Sequence, residues 1–160
     1  MKFRKLIAFI LIGIMTFGLS STKAYAAEDA SYTKADVRLL SALIYCEANG
    51  ESYTGKLAVG IVVMNRKKSS LFPDTIKGVI YQKYQFGPVT NGTLKKALSE
   101  YDKGNFTSTS EKHCIHAAKS ALAGRKTITV SSAQKSFSKY LFFCAVVHNY
   151  TYRIGNHKFK

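Results

Sequence analysis

The sequence predicts an α+β fold, with a helical body followed by a small C-terminal antiparallel β-sheet. Between about residues 34 and 122, apolar residues recur every three or four positions, as on the buried face of a helix. After Gly124, the segments TITV, KYLFFCAVV and YTYRIG are rich in β-branched and aromatic residues, which favour strands. Because the helices precede the strands instead of alternating with them, the order indicates α+β rather than α/β.

The first 26 residues predict a cleaved secretory signal peptide. Lys2, Arg4 and Lys5 precede the apolar run LIAFILIGIMTFGL, and the Ala-Tyr-Ala tripeptide at 24–26 supplies the small residues of a cleavage site. The run has 14 residues, fewer than the ~20 that span a hydrocarbon core, so a membrane anchor is the weaker interpretation. We therefore expect a secreted or cell-wall protein without an integral membrane segment after cleavage.

The remaining chain predicts one basic domain. We expect an N-terminal arm over 27–35 and a single domain over 36–160. The signal holds four of the 24 basic residues and none of the nine acidic ones, so the mature net charge is 20 minus 9, or +11. This surplus favours a polyanionic partner, and export makes anionic cell wall polymers a simpler partner than nucleic acid or anionic lipid.

The cysteines and histidines predict no metal site and no cofactor. Three cysteines cannot all pair within one chain, and a domain of this size does not need a disulfide, so their state stays open. His113, Cys114 and His116 point in different directions from one predicted helix, and no Cys-x-x-Cys pair is present. Cys144 lies four residues before His148, but one such pair supplies too few ligands for a zinc site.

The first helix is predicted to begin after Thr33, which resembles a capping box with Asp36. It should run to about Ala48. Asn49 and Gly50 are expected to end it, because both tolerate the left-handed backbone conformation.

Four more helices are predicted before the strands. The segment 55–68 is apolar on nearly all sides, so it should be the buried central helix. Asp74 and Thr93 are expected to cap the next two helices, and the last begins near residues 110–111 and stops at Gly124. The segment 83–92 mixes aromatics with Gly, Pro and Asn, which predicts a loop. About three strands then form one sheet.

Glu47 occupies an unexpected position in the first helix. Leu40, Leu43 and Ile44 form an apolar stripe, and Glu47 is its next position. Loss of hydration there raises the pKa of a carboxyl group, and the C-terminal end of the helix acts in the same direction. A carboxylic acid that stays neutral can protonate a glycosidic oxygen. The alternative is a structural acid that pairs with a Lys or Arg.

Glu51 follows Glu47 by four residues and raises the question of a two-carboxylate mechanism. On a continuous helix the two side chains would share a face, near the separation used by retaining glycosidases. Gly50 argues against a continuous helix. We therefore expect Glu51 to cap the next helix or to anchor the turn.

Four blocks in this order resemble the cell wall hydrolase family typified by spore cortex-lytic enzymes of the SleB type. They are Glu-Ala-x-Gly-Glu at 47–51, Val-x-x-Asn-Arg at 62–66, FPDTIKGVIYQ at 72–82 and Gly-Asn-His-x-Phe at 155–159. The similarity runs from about residue 39 to 160. It implies a peptidoglycan-cleaving domain with a lysozyme-like, lytic-transglycosylase-like fold.

The resemblance also implies that Glu47 is the catalytic residue. In a lytic transglycosylase of this type, one carboxyl group protonates the glycosidic oxygen between MurNAc and GlcNAc. The same group then acts as a base while the 6-hydroxyl of the muramic acid attacks, which leaves a 1,6-anhydro end. The implied roles are spore cortex lysis at germination or wall remodelling. The chain departs from the family at Gly87, where a serine is common.

Three residues around the predicted loop are candidates for sugar binding. Tyr81, Gln85 and Phe86 either line a groove, since aromatic faces and amides suit sugar rings, or pin the loop to the body.

Three more residues are candidates for support of the site. Asn65 and Arg66, at the end of the buried helix, either hydrogen-bond the carbonyls of the Glu47 turn or are ordinary helix-terminal residues. His157 is expected to support the site or to serve in packing, not to react directly.

Two other functions fit the charge. A non-catalytic cationic module that binds the cell wall would account for the basic surface, but it gives no reason for the position of Glu47. A secreted nuclease would also be basic. The sequence has neither a histidine-rich metal motif of the usual kind nor a phosphate-binding glycine loop, so the nuclease ranks last.

Overall fold

The computed structural model describes residues 32–146 and 148–160; the predicted signal peptide and its cleavage site lie outside these ranges. The helices are α1 (Lys34–Ala48), α2 (Tyr53–Lys68), α3 (Ile76–Tyr81), α4 (Gly87–Thr90), α5 (Thr93–Asp102) and α6 (Thr109–Leu122). The strands are β1 (Thr127–Val130), β2 (Ala133–Ser136), β3 (Phe143–Cys144), β4 (Tyr152–Ile154) and β5 (His157–Phe159). The predicted α+β class, with helices first, is confirmed.

Helix α2 lies at the centre of the helical body. Every residue from Gly55 to Arg66 is buried, as its apolar sequence predicts. Helices α1 and α6 pack against it, and Gly60 permits the close approach. A Cβ atom at Gly60 would lie 3.0 Å from Cβ of Ala121 on α6 and 3.2 Å from Cδ1 of Ile44 on α1. The absence of a side chain at this position therefore brings the three helices together.

The helix boundaries confirm some of the predicted caps and correct others. Thr33 and Asp36 form the expected capping box, so the helix starts inside the predicted 27–35 arm. Asp74 does not cap α3, because the side chain of Thr75 accepts the hydrogen bond from the backbone N of Gly78. Thr93 is likewise not a cap but the first residue of α5. In both cases the predicted N-cap differs from the observed one by one residue.

The loop predicted over 83–92 contains a short helix, α4. Pro88 lies near its start, where a missing backbone N–H costs nothing because that group has no helical partner. Because Gly and Pro are typical of loops, the sequence did not predict this short helix.

The strands form two small antiparallel sheets, not the single sheet that was predicted. One is the β1–β2 hairpin, and the other has the order β3-β5-β4. The hairpin turn has positive φ at Ser131 and Ser132, as a two-residue type I′ turn requires. Strand β2 has the sequence AQKS and is largely exposed, so it carries no apolar alternation that could have predicted it.

A cluster of aromatic rings joins the second sheet to the helical body. Phe137, Tyr140 and Phe159 are all buried, and the ring of Phe137 lies 4.4 Å from that of Tyr140 and 5.0 Å from that of Phe159. Strand β5 is thereby fixed to the end of α2. Among the helices of the described ranges, none has the length and hydropathy needed to cross a membrane.

Candidate active site

Glu47 lies in the last turn of α1 and is half-buried. No hydrogen bond or ion pair to its carboxyl group is found within residues 32–146 and 148–160. Burial raises the pKa of Glu47, and the positive charge of Arg66 lowers it in part. Burial thus favours the neutral form of the Glu47 side chain, and within the described residues no contacting cation fixes it as an anion.

Lys56 holds the turn that follows Glu47. Its side chain is only 2% exposed, and Nζ donates to the backbone oxygens of Asn49 at 2.7 Å and of Glu51 at 2.5 Å. Oγ of Ser110 lies 2.7 Å from the same Asn49 oxygen. These groups satisfy carbonyls at the C-terminal end of α1 that have no helical partner. The sequence analysis missed Lys56, although a lysine within an otherwise apolar helix was a visible signal.

The end of α1 does not use the predicted left-handed conformation. Asn49 has φ −57° and ψ −37°, in the right-handed region. Gly50 is not among the glycines with positive φ. The helix ends because the backbone N of Glu51 bonds to the carbonyl of Ala48 at 3.0 Å and because Lys56 takes over the next carbonyls.

Asn65 and Arg66 hold a different part of the chain from the one predicted. Nδ2 of Asn65 donates to the carbonyls of Phe137 and Tyr140 at 2.8 and 2.9 Å. Nε of Arg66 donates to the carbonyl of Leu141 at 2.7 Å. The prediction that they bond the carbonyls of the Glu47 turn is therefore wrong, because their donors are taken by carbonyls of the segment before β3.

Glu51 reaches across to the turn between β4 and β5. Its Oε1 accepts a hydrogen bond from the backbone N of Asn156 at 3.1 Å. A Cβ atom at Gly155, which has φ +52°, would lie 1.8 Å from Oε2 of Glu51. Glu51 does not cap α2, because Ser52 does. It anchors a turn, but one 105 positions away in the sequence.

A cleft of about 360 Å³ lies beside Glu47, between the helical body and the second sheet. Two of the three predicted groove residues, Gln85 and Phe86, line it together with Arg66 and His157. Tyr81 does not line it and is 46% exposed elsewhere on the surface. The remaining lining residues are Gly87, Phe143, Cys144 and Ala145.

A second cleft, of about 630 Å³, is also lined by Glu47. It is lined by residues of α1, of α5 and of the segment around α4, including Tyr45, Asn91 and Lys96. Glu47 lines both clefts, so it lies where they meet. An extended ligand that occupied both clefts would have its middle at this carboxyl group.

His157 on β5 forms part of the wall of the smaller cleft. Its ring lies 5.1 Å from that of Phe143, and Nδ1 is buried without a partner in the described residues. Burial lowers the pKa of His157, while the charge of Glu51 raises it in part. The imidazole is therefore neutral near pH 7, which agrees with packing and support.

The described residues contain no group of three potential metal ligands. Cys46, Cys114 and Cys144 are all free thiols. Burial raises the pKa of the Cys114 thiol to about 11, which makes it unreactive.

Gly87, at which the resemblance described above implies a serine, lies in the wall of the smaller cleft. A Cβ atom there would have no neighbour within 4 Å. The position therefore has room for a side chain, and its absence widens the cleft.

The fold is shared with solved catalytic domains of one class of enzyme. The catalytic domain of the germination-specific lytic transglycosylase SleB from Bacillus anthracis is similar with a TM-score of 0.56 at 23% identity, over 81% of this chain and 96% of that one. The catalytic domain of the Bacillus cereus SleB protein is similar with a TM-score of 0.57 at 25% identity, over 80% and 91%.

Sequence comparison agrees with the fold. A spore cortex-lytic enzyme of Oceanobacillus iheyensis is 43% identical over 63 residues, which are 39% of this chain and 23% of that protein. The match thus spans about a quarter of that relative. The profile of the Cell Wall Hydrolase family matches residues 50–160. The chain belongs to the cell wall hydrolase family. The matched range begins three residues after Glu47, so the assignment does not itself test that residue.

Proposed function

We propose that this protein is a peptidoglycan lytic transglycosylase in which Glu47 is the general acid and then the general base. It cleaves the β-1,4 bond between MurNAc and GlcNAc and leaves 1,6-anhydro-muramyl ends. The observation that carries the proposal is the carboxyl group of Glu47, half-buried, unpaired and placed where two clefts meet. A glycan strand lying along both clefts would present a glycosidic oxygen to this acid.

The surroundings of Glu47 favour a mechanism with one carboxyl group. Within the described chain, no other acidic side chain lines the smaller cleft. Glu51 is bound to the β4–β5 turn. Glu100 lines the larger cleft, but its hydrogen bonds with Asn105 and Lys103 lower its pKa and engage both of its oxygens. Neither acid is free to act as a nucleophile, and intramolecular attack by the 6-hydroxyl needs none.

The substrate and location are supported by the family and by its relatives. Relatives named as spore cortex-lytic enzymes and a germination-specific lytic transglycosylase favour cortex peptidoglycan as the substrate. We extend this to action outside the cytoplasmic membrane, after export by the predicted signal peptide, in cortex lysis or wall remodelling. We further propose that the basic surface, or a partner, attaches the protein to the wall.

Replacement of Glu47 by Gln tests the proposal. The Gln side chain keeps the size and cannot donate a proton, so release of soluble muropeptides from purified walls should fall by about 10²–10⁴-fold. Asp74→Asn, which removes one negative charge from an exposed position, is the matched control and should remain active.

Mass spectrometry of the released fragments tests the reaction type. Anhydro ends indicate transglycosylation, whereas reducing ends indicate hydrolysis and would overturn that part of the proposal. Undiminished release by Glu47→Gln would refute the role of Glu47. Wall binding by the unaltered protein without any release would support the cationic binding module instead.

A further inference from the structure

Arg66 is a buried cation that has no counter-ion in contact with it among the residues that the structure describes. The residue is only 4% exposed, and the ion pairs found within the described ranges join other residues. Its Nε donates to the carbonyl of Leu141, while Nη1 is buried and has no partner in the part of the chain that the structure describes. An incompletely satisfied buried charge is costly. Stability alone therefore does not account for an arginine at this position.

Three phenylalanine rings enclose the guanidinium. Its central carbon lies 5.1 Å from the ring centroids of Phe72 and Phe86 and 5.4 Å from that of Phe142. Their faces offset part of the desolvation. Burial lowers the pKa of Arg66 to about 10, so it stays charged near pH 7. Because the guanidinium is buried, its charge is screened less than that of an exposed arginine.

The charge of Arg66 acts on the carboxyl group of Glu47. Arg66 and Glu47 line the same 360 Å³ cleft but form no direct ion pair. Each nevertheless acts on the other, since Arg66 favours the carboxylate form of Glu47 and Glu47 favours the charged form of Arg66. The cation is thus close enough to respond to the charge on Glu47 without holding that side chain as an anion.

We propose that Arg66 is a positioning residue that stabilises the carboxylate formed on Glu47 when its proton passes to the glycosidic oxygen. The inference rests on the proposed function. Before transfer Glu47 is neutral, and the interaction is weak. During transfer the O–H bond of Glu47 breaks, the proton joins the leaving oxygen, and the new negative charge attracts the guanidinium. An interaction that grows toward the transition state accelerates the reaction rather than merely binding substrate.

The second half of the reaction reverses this change. The Glu47 carboxylate takes the proton of the 6-hydroxyl as that oxygen bonds to the anomeric carbon, and Arg66 returns to its uncompensated state. The other titratable groups facing Glu47 line the two clefts from α1, α5, β3 and β5; they are Tyr45, Cys46, Lys96, Glu100, Cys144 and His157. Among charged neighbours, Arg66 is the one that shifts the pKa of Glu47.

Two substitutions at Arg66 separate its charge from its packing. Arg66→Lys and Arg66→Met both lose the guanidinium that fits between the rings and bonds Leu141, but only Arg66→Met loses the charge. We expect Arg66→Met to lower kcat by about 10²-fold with little change in KM. Arg66→Lys should recover at least about a tenth of the original kcat, since the charge is restored.

The titration of Glu47 gives a readout that does not depend on turnover. Loss of the positive charge disfavours the carboxylate, so the pKa of Glu47, measured by NMR of its labelled carboxyl carbon, should rise in Arg66→Met and stay near the original value in Arg66→Lys. The alkaline limb of the kcat/KM profile should move to higher pH in Arg66→Met alone. Asn65→Ala, which loosens the same segment without changing charge, should leave the Glu47 titration in place.

Equal losses in both Arg66 variants, with an unmoved Glu47 titration, would overturn the inference and leave Arg66 a structural residue. If Arg66→Met does not fold, Arg66→Gln is also neutral, retains an amide donor for the Leu141 carbonyl and carries the same prediction. Failure of the proposed function gives a different result, because Glu47→Gln would then keep its activity.

Discussion

At the scale of single residues, the site combines two ionisable side chains that form no ion pair with each other in the structure. Glu47 is half-buried with a raised pKa, and Arg66 is buried with one nitrogen that has no partner among residues 32–146 and 148–160. The position of Glu47 was predictable, because one helical period places it on an apolar stripe. The role of Lys56 was not, because its partners are backbone oxygens whose position depends on how α1 ends.

Burial of Glu47 has a consequence for stability. Its pKa is higher in the folded state than in the unfolded state, so its contribution favours folding below the unfolded pKa, about 4, and is lost as pH rises through the folded pKa. Glu47→Gln should therefore match the original Tm near pH 4 and exceed it near pH 7. Calorimetry across this range checks the sign. A difference independent of pH would contradict it.

Lys56 should be essential for the turn after Glu47. Lys56→Met keeps much of the aliphatic stem but leaves the carbonyl of Glu51 without its donor and that of Asn49 with Ser110 alone. We expect a loss of about 1–3 kcal/mol in the free energy of unfolding, the cost of about one unpaired buried group. Urea unfolding measures it. Lys77→Met, at an exposed position on α3, is the matched control and should change stability little.

At the scale of elements, the decisive contact joins the start of α2 to the β4–β5 turn. The long helices were predictable from their periodicity, and the N-caps of α3 and α5 to within one residue, whereas the short helix α4 was not predicted. Strands β2 and β5 were not, since three or four mixed residues carry too little pattern and their pairing depends on partners distant in sequence. The hydrogen bond from the backbone N of Asn156 to Glu51 could not be predicted from the sequence for the same reason.

A side chain at Gly155 should force the carboxylate of Glu51 away from the β4–β5 turn. Gly155→Ala would place Cβ 1.8 Å from Oε2 of Glu51 as well as straining a positive φ. Gly104→Ala, with φ +77° and open space, shows the strain alone. We expect Gly104→Ala to cost about 1 kcal/mol and Gly155→Ala clearly more. The double variant Glu51→Ala/Gly155→Ala should lose less than the sum of the single losses, and strict additivity in urea unfolding would contradict the steric explanation.

At the scale of the whole molecule, the positive net charge and the two clefts both suit an extended anionic polymer. The predicted mature chain carries +11, and the two clefts meeting at Glu47 suit an extended polymer. Composition made the charge predictable. It could not predict the clefts, because these form only where segments far apart in the sequence come together.

Wall binding should depend strongly on salt. Exposed charges are screened over about 10 Å at 0.1 M salt and about 3 Å at 1 M, so the binding of Glu47→Gln to purified walls should weaken severalfold over this range. Co-sedimentation with walls, before and after removal of their anionic polymers, measures the effect. Binding that is insensitive to both treatments would show that the basic surface is not what attaches the protein.

The smaller cleft takes Glu47 from the first helix and His157 from the last strand, so its two walls come from opposite ends of the domain. A polypeptide that is still being synthesised has no such enclosure, so the cleft is complete only after the whole domain has folded. Under the proposed function and export, the chain would therefore acquire its activity only once this folding is finished.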